Sequence, residues 1–184
     1  MKPEMTNKHT QISDSLRRLP RKILQLYGHD NVTHFVLHEL CGENCFDMSK
    51  AAYFIDNPAF NILKGIAGFS AEESKKLSNS TNIWDNPHHF NDIISQSLFN
   101  KKVRSFDYES RKKNGHSHEA MAETIAKDLD IKEYDFYTWD MKHENHGLLV
   151  CEKNNSHNLQ YPNDEIIVDG LCLLGFCFVP SIIR

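Results

Sequence analysis

The chain has 184 residues, of which 40% are hydrophobic and 25% charged, with 8 Gly and 6 Pro; this composition excludes a chain disordered throughout and suits one domain over residues 1–184. A net charge of −4 offers no global positive field to gather phosphates, which disfavours nucleic acid as a partner. The longest apolar run, LCLLGFCFV at 171–179, is far short of the ~20 residues of a membrane helix, and MKPEMTNKHT has no signal-peptide core, so the expectation is a cytoplasmic protein with no membrane partner.

Residues 1–12 are polar and aperiodic and are expected to form a flexible N-terminal arm. Ser13 or Asp14 can cap a helix carrying Ile12, Leu16 and Leu19 that Pro20 breaks, and Asp30 or Asn31 can cap another through Phe35 and Leu40 that stops at Gly42. Asn44 with Asp47 resembles a capping box opening a helix over CFDMSKAAYFI, which closes at Asp56-Asn57-Pro58. Short helices follow after Pro58, Ser70 and Pro87. KKVRSFDY holds a possible strand before a basic loop, and Ser117 or His118 starts a helix through Met121, Ile125 and Leu129.

From residue 131 the pattern changes. EYDFYTW and GLLVCE read as strands, and EIIVD and LCLLGFCFV read as two more joined by the hairpin dipeptide Asp169-Gly170. The expected fold is α+β, a mostly helical N-terminal half packed on a C-terminal antiparallel sheet.

Five cysteines cannot all pair within one chain, and a domain of this size needs no disulfides, so reduced thiols are expected. The strongest chemical signal among them is Cys45. At a helix start, free backbone amides and the dipole would lower its pKa and make it a nucleophile. A nucleophilic thiol needs a base and a group that orients the base. His146 heads the strand GLLVCE, and a hairpin folded about the loop near His157 would set Asp169 across from it. Backbone amides near Cys45, or the Asn44 amide, could receive a developing oxyanion.

The order NCF at 44–46, then His146, then IIVD ending at Asp169 resembles the papain-like and transglutaminase-like thiol superfamily. That resemblance implies nucleophile, base and orienting roles for Cys45, His146 and Asp169, a Cys helix packed on an antiparallel sheet, and no cofactor. The chain departs from the superfamily's usual Gly-x-Cys-Trp-like context, with Glu43-Asn44 before the Cys and Phe46 after it. The function expected on this basis is a thiol-dependent hydrolase or acyltransferase acting on a peptide or small acyl substrate.

Two alternatives come from other residues. His34, His38 and Cys41 share one face of a helix starting near Asn31 and could hold Zn, with Glu39 or Cys45 completing the shell, although no Cys-x-x-Cys or His-Glu-x-x-His spacing accompanies them. A non-catalytic interaction domain, whose helical half meets a protein partner, is the other. Arg111, Lys112 and Lys113, with Lys101, Lys102 and Arg104 nearby, form a basic cluster that could touch a phosphate or an acidic partner but is interrupted by Asp107 and Glu109 and reads as a solvated loop, and the aromatics Tyr134, Phe136, Tyr137 and Trp139 suit a sheet core better than a base-stacking platform.

Overall fold

The computed structural model describes residues 3–26, 31–77, 86–111, 115, 117–154 and 164–177. The chain is α+β, built on a five-stranded antiparallel sheet in the order β3-β2-β1-β5-β4. At its centre is β1 (Met48–Asn57), where the consecutive residues Ala51, Ala52, Tyr53 and Phe54 are all 0% exposed. A strand covered on both faces is apolar at every position and loses the alternation of a half-exposed one. For that reason CFDMSKAAYFI, expected as a helix, is mostly strand, and NILKGIAGFS is the neighbouring strand β2 (Ile62–Ser70). The strands therefore begin in the N-terminal half, correcting the expected split between a helical half and a C-terminal sheet.

The turn into β2 passes through Asn61 at a positive φ of 55°. On the other side of β1 lies β5 (His146–Lys153), then β4 (Tyr134–Asp140), both expected as strands. The two-residue β3 (Asp107–Tyr108) edges β2. On one face of the sheet, Tyr53, Ile55, Phe69, Leu149 and Trp139 pack against α1 (Pro3–Gln25), α2 (Val32–Cys41) and α7 (Asp164–Leu171). On the other face, Phe54, Leu63, Leu148 and Val150 meet Val103 of α5 (Leu98–Ser105) and Met121, Ile125 and Leu129 of α6 (His118–Leu129). The remaining helices are α3 (Ala71–Leu77) and α4 (Pro87–Gln96), the latter capped by Asn86, whose Oδ1 accepts from the His89 amide.

Three local expectations change. α1 begins at Pro3, inside the stretch expected as an arm, and runs on through Pro20, with Ile12 and Leu19 in the core. IIVDGL is helical, because Ile167, Leu171 and Leu174 fall at helical spacing and are each 0% exposed. Gly170 is not a hairpin glycine: a Cβ there would come within 2.6 Å of Phe46 Cζ, so it lets α7 lie close on the core. Cys172–Phe176 is a 3₁₀ turn rather than a strand. His116, the loop about His157, Lys112, Lys113 and residues 178–179 lie outside the described residues.

Candidate functional site

Cys45 follows α2 in the turn that leads into β1, so it does not open a helix. Its own amide donates to the Gly42 carbonyl (3.0 Å), and the Phe46 amide donates to Leu40 (2.9 Å). The residue is 1% exposed. Burial first, and then the Glu39 carboxylate, push its thiol up to about 12, against the lowering pull of the Lys8 ammonium. Asn44 is exposed, and its Oδ1 accepts from Gln11 Nε2 at 2.9 Å, tying the turn to α1.

The other two members of the expected triad lie elsewhere. β1 begins with Met48 opposite Lys153 and reaches Asp56 opposite His146. Eight residues at ~3.3 Å each make roughly 26 Å, and Cys45 lies beyond the Met48 end, so the thiol and the imidazole occupy opposite ends of the sheet. Asp169 is exposed on α7; burial first, and then the Asp169 charge, raise the pKa of Cys172. The structure brings none of these three residues together through a hydrogen bond.

The α2 residues considered for Zn diverge. His34 Nε2 meets Asn100 Oδ1 at 3.1 Å, and Cys41 Sγ meets Met48 Sδ at 3.6 Å. His38 lies edge-on to the Phe69 and Phe90 rings at 4.9 and 5.0 Å. Among the described residues, no three His, Cys, Asp or Glu side chains are grouped so as to hold a metal ion.

A different set of groups converges at the far end of the sheet. Cross-strand pairing places Asp56 of β1, His146 of β5 and Asp140 of β4 in one row. By alternation from Phe54, Leu148 and Phe136, all three face the α6 side. His146 Nδ1 is 2.9 Å from Asp140 Oδ1, so the carboxylate that fixes its tautomer is Asp140 rather than Asp169. Among the described residues, His146 Nε2 has no hydrogen-bond partner. Over the row stands His118, the first residue of α6, held there because the Ser117 hydroxyl accepts from the Ala120 amide at 3.1 Å. The His118 and His146 ring centroids are 6.4 Å apart. Burial, then Arg111, then His146 lower the pKa of His118, while Asp56 and Asp140 work the other way.

What separates this end from the rest of the molecule is its unmet hydrogen bonding. Asp56 is 3% exposed, and both its carboxylate oxygens are buried without a partner. Asn61 Oδ1, Ser110 Oγ, Arg111 Nε, His118 Nε2, Trp139 Nε1 and Asn145 Oδ1 are in the same condition. Apart from His34 Nδ1, and Trp139 Nε1 on the opposite face of the sheet, every such atom among the described residues belongs to this end or to the loops that close it. A buried polar group without a partner costs about 1–3 kcal/mol, more when charged, so each such atom calls for a partner in the form of water, an ion or a ligand. Sequence reasoning found His146 but missed its neighbours. Asp56 was read as a helix end and His118 as a cap; the available signal was a carboxylate ending an otherwise apolar strand. Comparison with protein-family models, curated proteins and solved structures returned no match to this chain.

Proposed function

We propose that this end of the sheet is a hydrolytic site in which His146 activates water against a small acyl ester or peptide bond, in place of the thiol mechanism expected at Cys45. One observation carries it: an imidazole whose Nδ1 is held by a carboxylate at 2.9 Å, with Nε2 unpartnered among the described residues, in the same row as the buried Asp56 and beside His118. His146 Nε2 takes a proton from water as the water oxygen bonds to the carbonyl carbon and the carbonyl π pair moves onto oxygen. Arg111, whose charge is felt by His118 and whose Nε is unpartnered among the described residues, is the donor for that oxyanion. Collapse re-forms the carbonyl and breaks the bond to the leaving group, which receives the proton from His146. Asp140, 94% exposed, acts mainly by orienting the ring, since solvent screens its charge.

The test is hydrolysis of p-nitrophenyl acetate and butyrate by the whole chain, compared with free imidazole at equal concentration. His146→Gln is expected to lose about 10²- to 10⁴-fold of the protein rate, with Asp140→Asn intermediate and Cys45→Ala unchanged. An equal rate in His146→Gln removes the proposal, and loss in Cys45→Ala alone restores the thiol reading.

A further inference from the structure

A second concavity lies at the outer edge of β2, away from the sheet end. Its volume is about 480 Å³, within the range of small-ligand sites. Asn31, Asn91, Ser95, Asn100, Lys101 and Arg104 line it, and among the described residues no acidic side chain does. Lys101 and Arg104 stand three apart on α5, so both cations project from one side of that helix. Among the described residues neither has an ion-pair partner.

The deepest polar group is Asn100, 2% exposed. Its Oδ1 accepts from the Gly68 amide at 2.9 Å, and because a backbone N–H can only donate, this settles which way the carboxamide is turned. The same oxygen is 3.1 Å from His34 Nε2, which must then carry the proton. Both lone-pair directions of Oδ1 are thus spent on the interior. The Nδ2 group, which has no partner among the described residues, is the donor left for the pocket. Above it, the Asn31 and Asn91 carboxamides pair at 2.9 Å. Close packing supports the arrangement: a Cβ on Gly68 would come within 3.1 Å of the Asn100 Cα, so the glycine lets α5 press this side chain against the strand edge.

We infer that the pocket bounded by Asn31, Asn91, Asn100, Lys101 and Arg104 binds the phosphate group of a small phosphorylated molecule. Two unpaired cations and the Asn100 amide donor, with no carboxylate among the lining residues, match a doubly charged oxyanion. The overall charge of −4 gives a polymer backbone no extended track, which favours a compact monoester. This inference does not depend on the hydrolytic site. Gly68 lies opposite Ala52, four residues along β1 from Asp56, or roughly 13 Å.

The experiment is calorimetric titration of the whole chain with inorganic phosphate and with phenyl phosphate at constant ionic strength, using chloride as the control and Lys101→Gln/Arg104→Gln as the variant. Both residues are exposed, so the double variant should remain folded, which circular dichroism checks. Phenyl phosphate is expected to bind more tightly than phosphate, and the double variant to weaken it at least tenfold. Asn100→Asp, which puts a second acceptor where the donor stands, should abolish binding; the surface variant decides the matter if Asn100→Asp does not fold. No heat from either probe, or equal affinity in the double variant, overturns the inference. So does a six-nucleotide RNA that binds more tightly than phenyl phosphate and displaces it.

Discussion

The two ends of β1 bury opposite kinds of group. At the Met48 end, Leu40, Cys41, Cys45, Phe46 and Met48 are each at most 1% exposed, and the main-chain amides of Cys45 and Phe46 are spent within the turn. At the Asp56 end, a carboxylate only 3% exposed has no partner among the described residues, and Asn61, Ser110 and Asn145 near it also bury unpartnered oxygens. One end is finished as a core and the other is not. A cysteine in the first environment is packing, whereas a histidine in the second retains an open nitrogen. The residue type with the greater intrinsic reactivity is therefore found where its chemistry is suppressed.

The largest effect that can break this comparison is thiol reactivity. With its pKa pushed up to about 12 by burial, about one Cys45 thiol in ten thousand is ionised at pH 8, against about one in ten for an ordinary cysteine. Peptide mapping after brief iodoacetamide treatment of the folded chain should find label at the half-buried Cys172 and none at Cys45. Rapid labelling of Cys45 would return it to the list of nucleophiles.

Next is Phe46→Ala, which opens a cavity beneath Gly170 and α7 and should cost about 3–5 kcal/mol in urea denaturation. A loss below 1 kcal/mol would mean that the Met48 end is loosely packed.

Acid should act through the same apolar side. Burial first, and then Arg104, hold His34 down to about 4, with the Asn100 contact opposing them; burial and then His34 hold His38 down to about 3. Unfolded, both would take up protons near 6.5. The stability that depends on their neutrality is complete above that pH and is lost as pH falls toward the folded values, because the unfolded chain binds protons that the folded one refuses. The loss should reach roughly 2 kcal/mol per group by pH 5. Urea midpoints between pH 7 and pH 5 should fall steeply for the native chain and less so for His34→Gln; identical slopes would show that His34 is already charged in the fold.

The smallest effect has the opposite sign. Asp56→Leu replaces a buried, unpartnered carboxylate with hydrocarbon of similar size and should gain about 1–2 kcal/mol while hydrolysis falls. A loss of stability would show that Asp56 is a structural member of the sheet end.

Much of the local architecture was legible. Ser117 caps its helix and Pro87 opens another as expected, Gly42 closes α2, and the two strands after residue 131 are where the β-prone runs lie. These signals are local: a cap, a stop, or a cluster of aromatic and β-branched residues. β1 and β2 were misread because both their faces are buried, which makes a central strand and a buried helix look alike in pattern. Asp169-Gly170 was misread because a turn dipeptide and a helix glycine pressed against Phe46 are the same two letters.

The site shows the same division. His146 was found because it heads a readable strand, but its carboxylate was assigned through a hairpin that does not form. Asp140 lies only six residues away, across the β4–β5 connection. The amino-acid sequence by itself carried the α+β class in its mix of helical and β-prone runs, and the helix starts at Pro87 and Ser117 in neighbours within a few positions. Only the tertiary structure decided which end of the molecule holds unpaired polar groups and which imidazole meets which carboxylate. Those depend on strand register, where a shift of one residue turns every side chain to the other face, and register is set by the packing of the whole sheet between its helical layers.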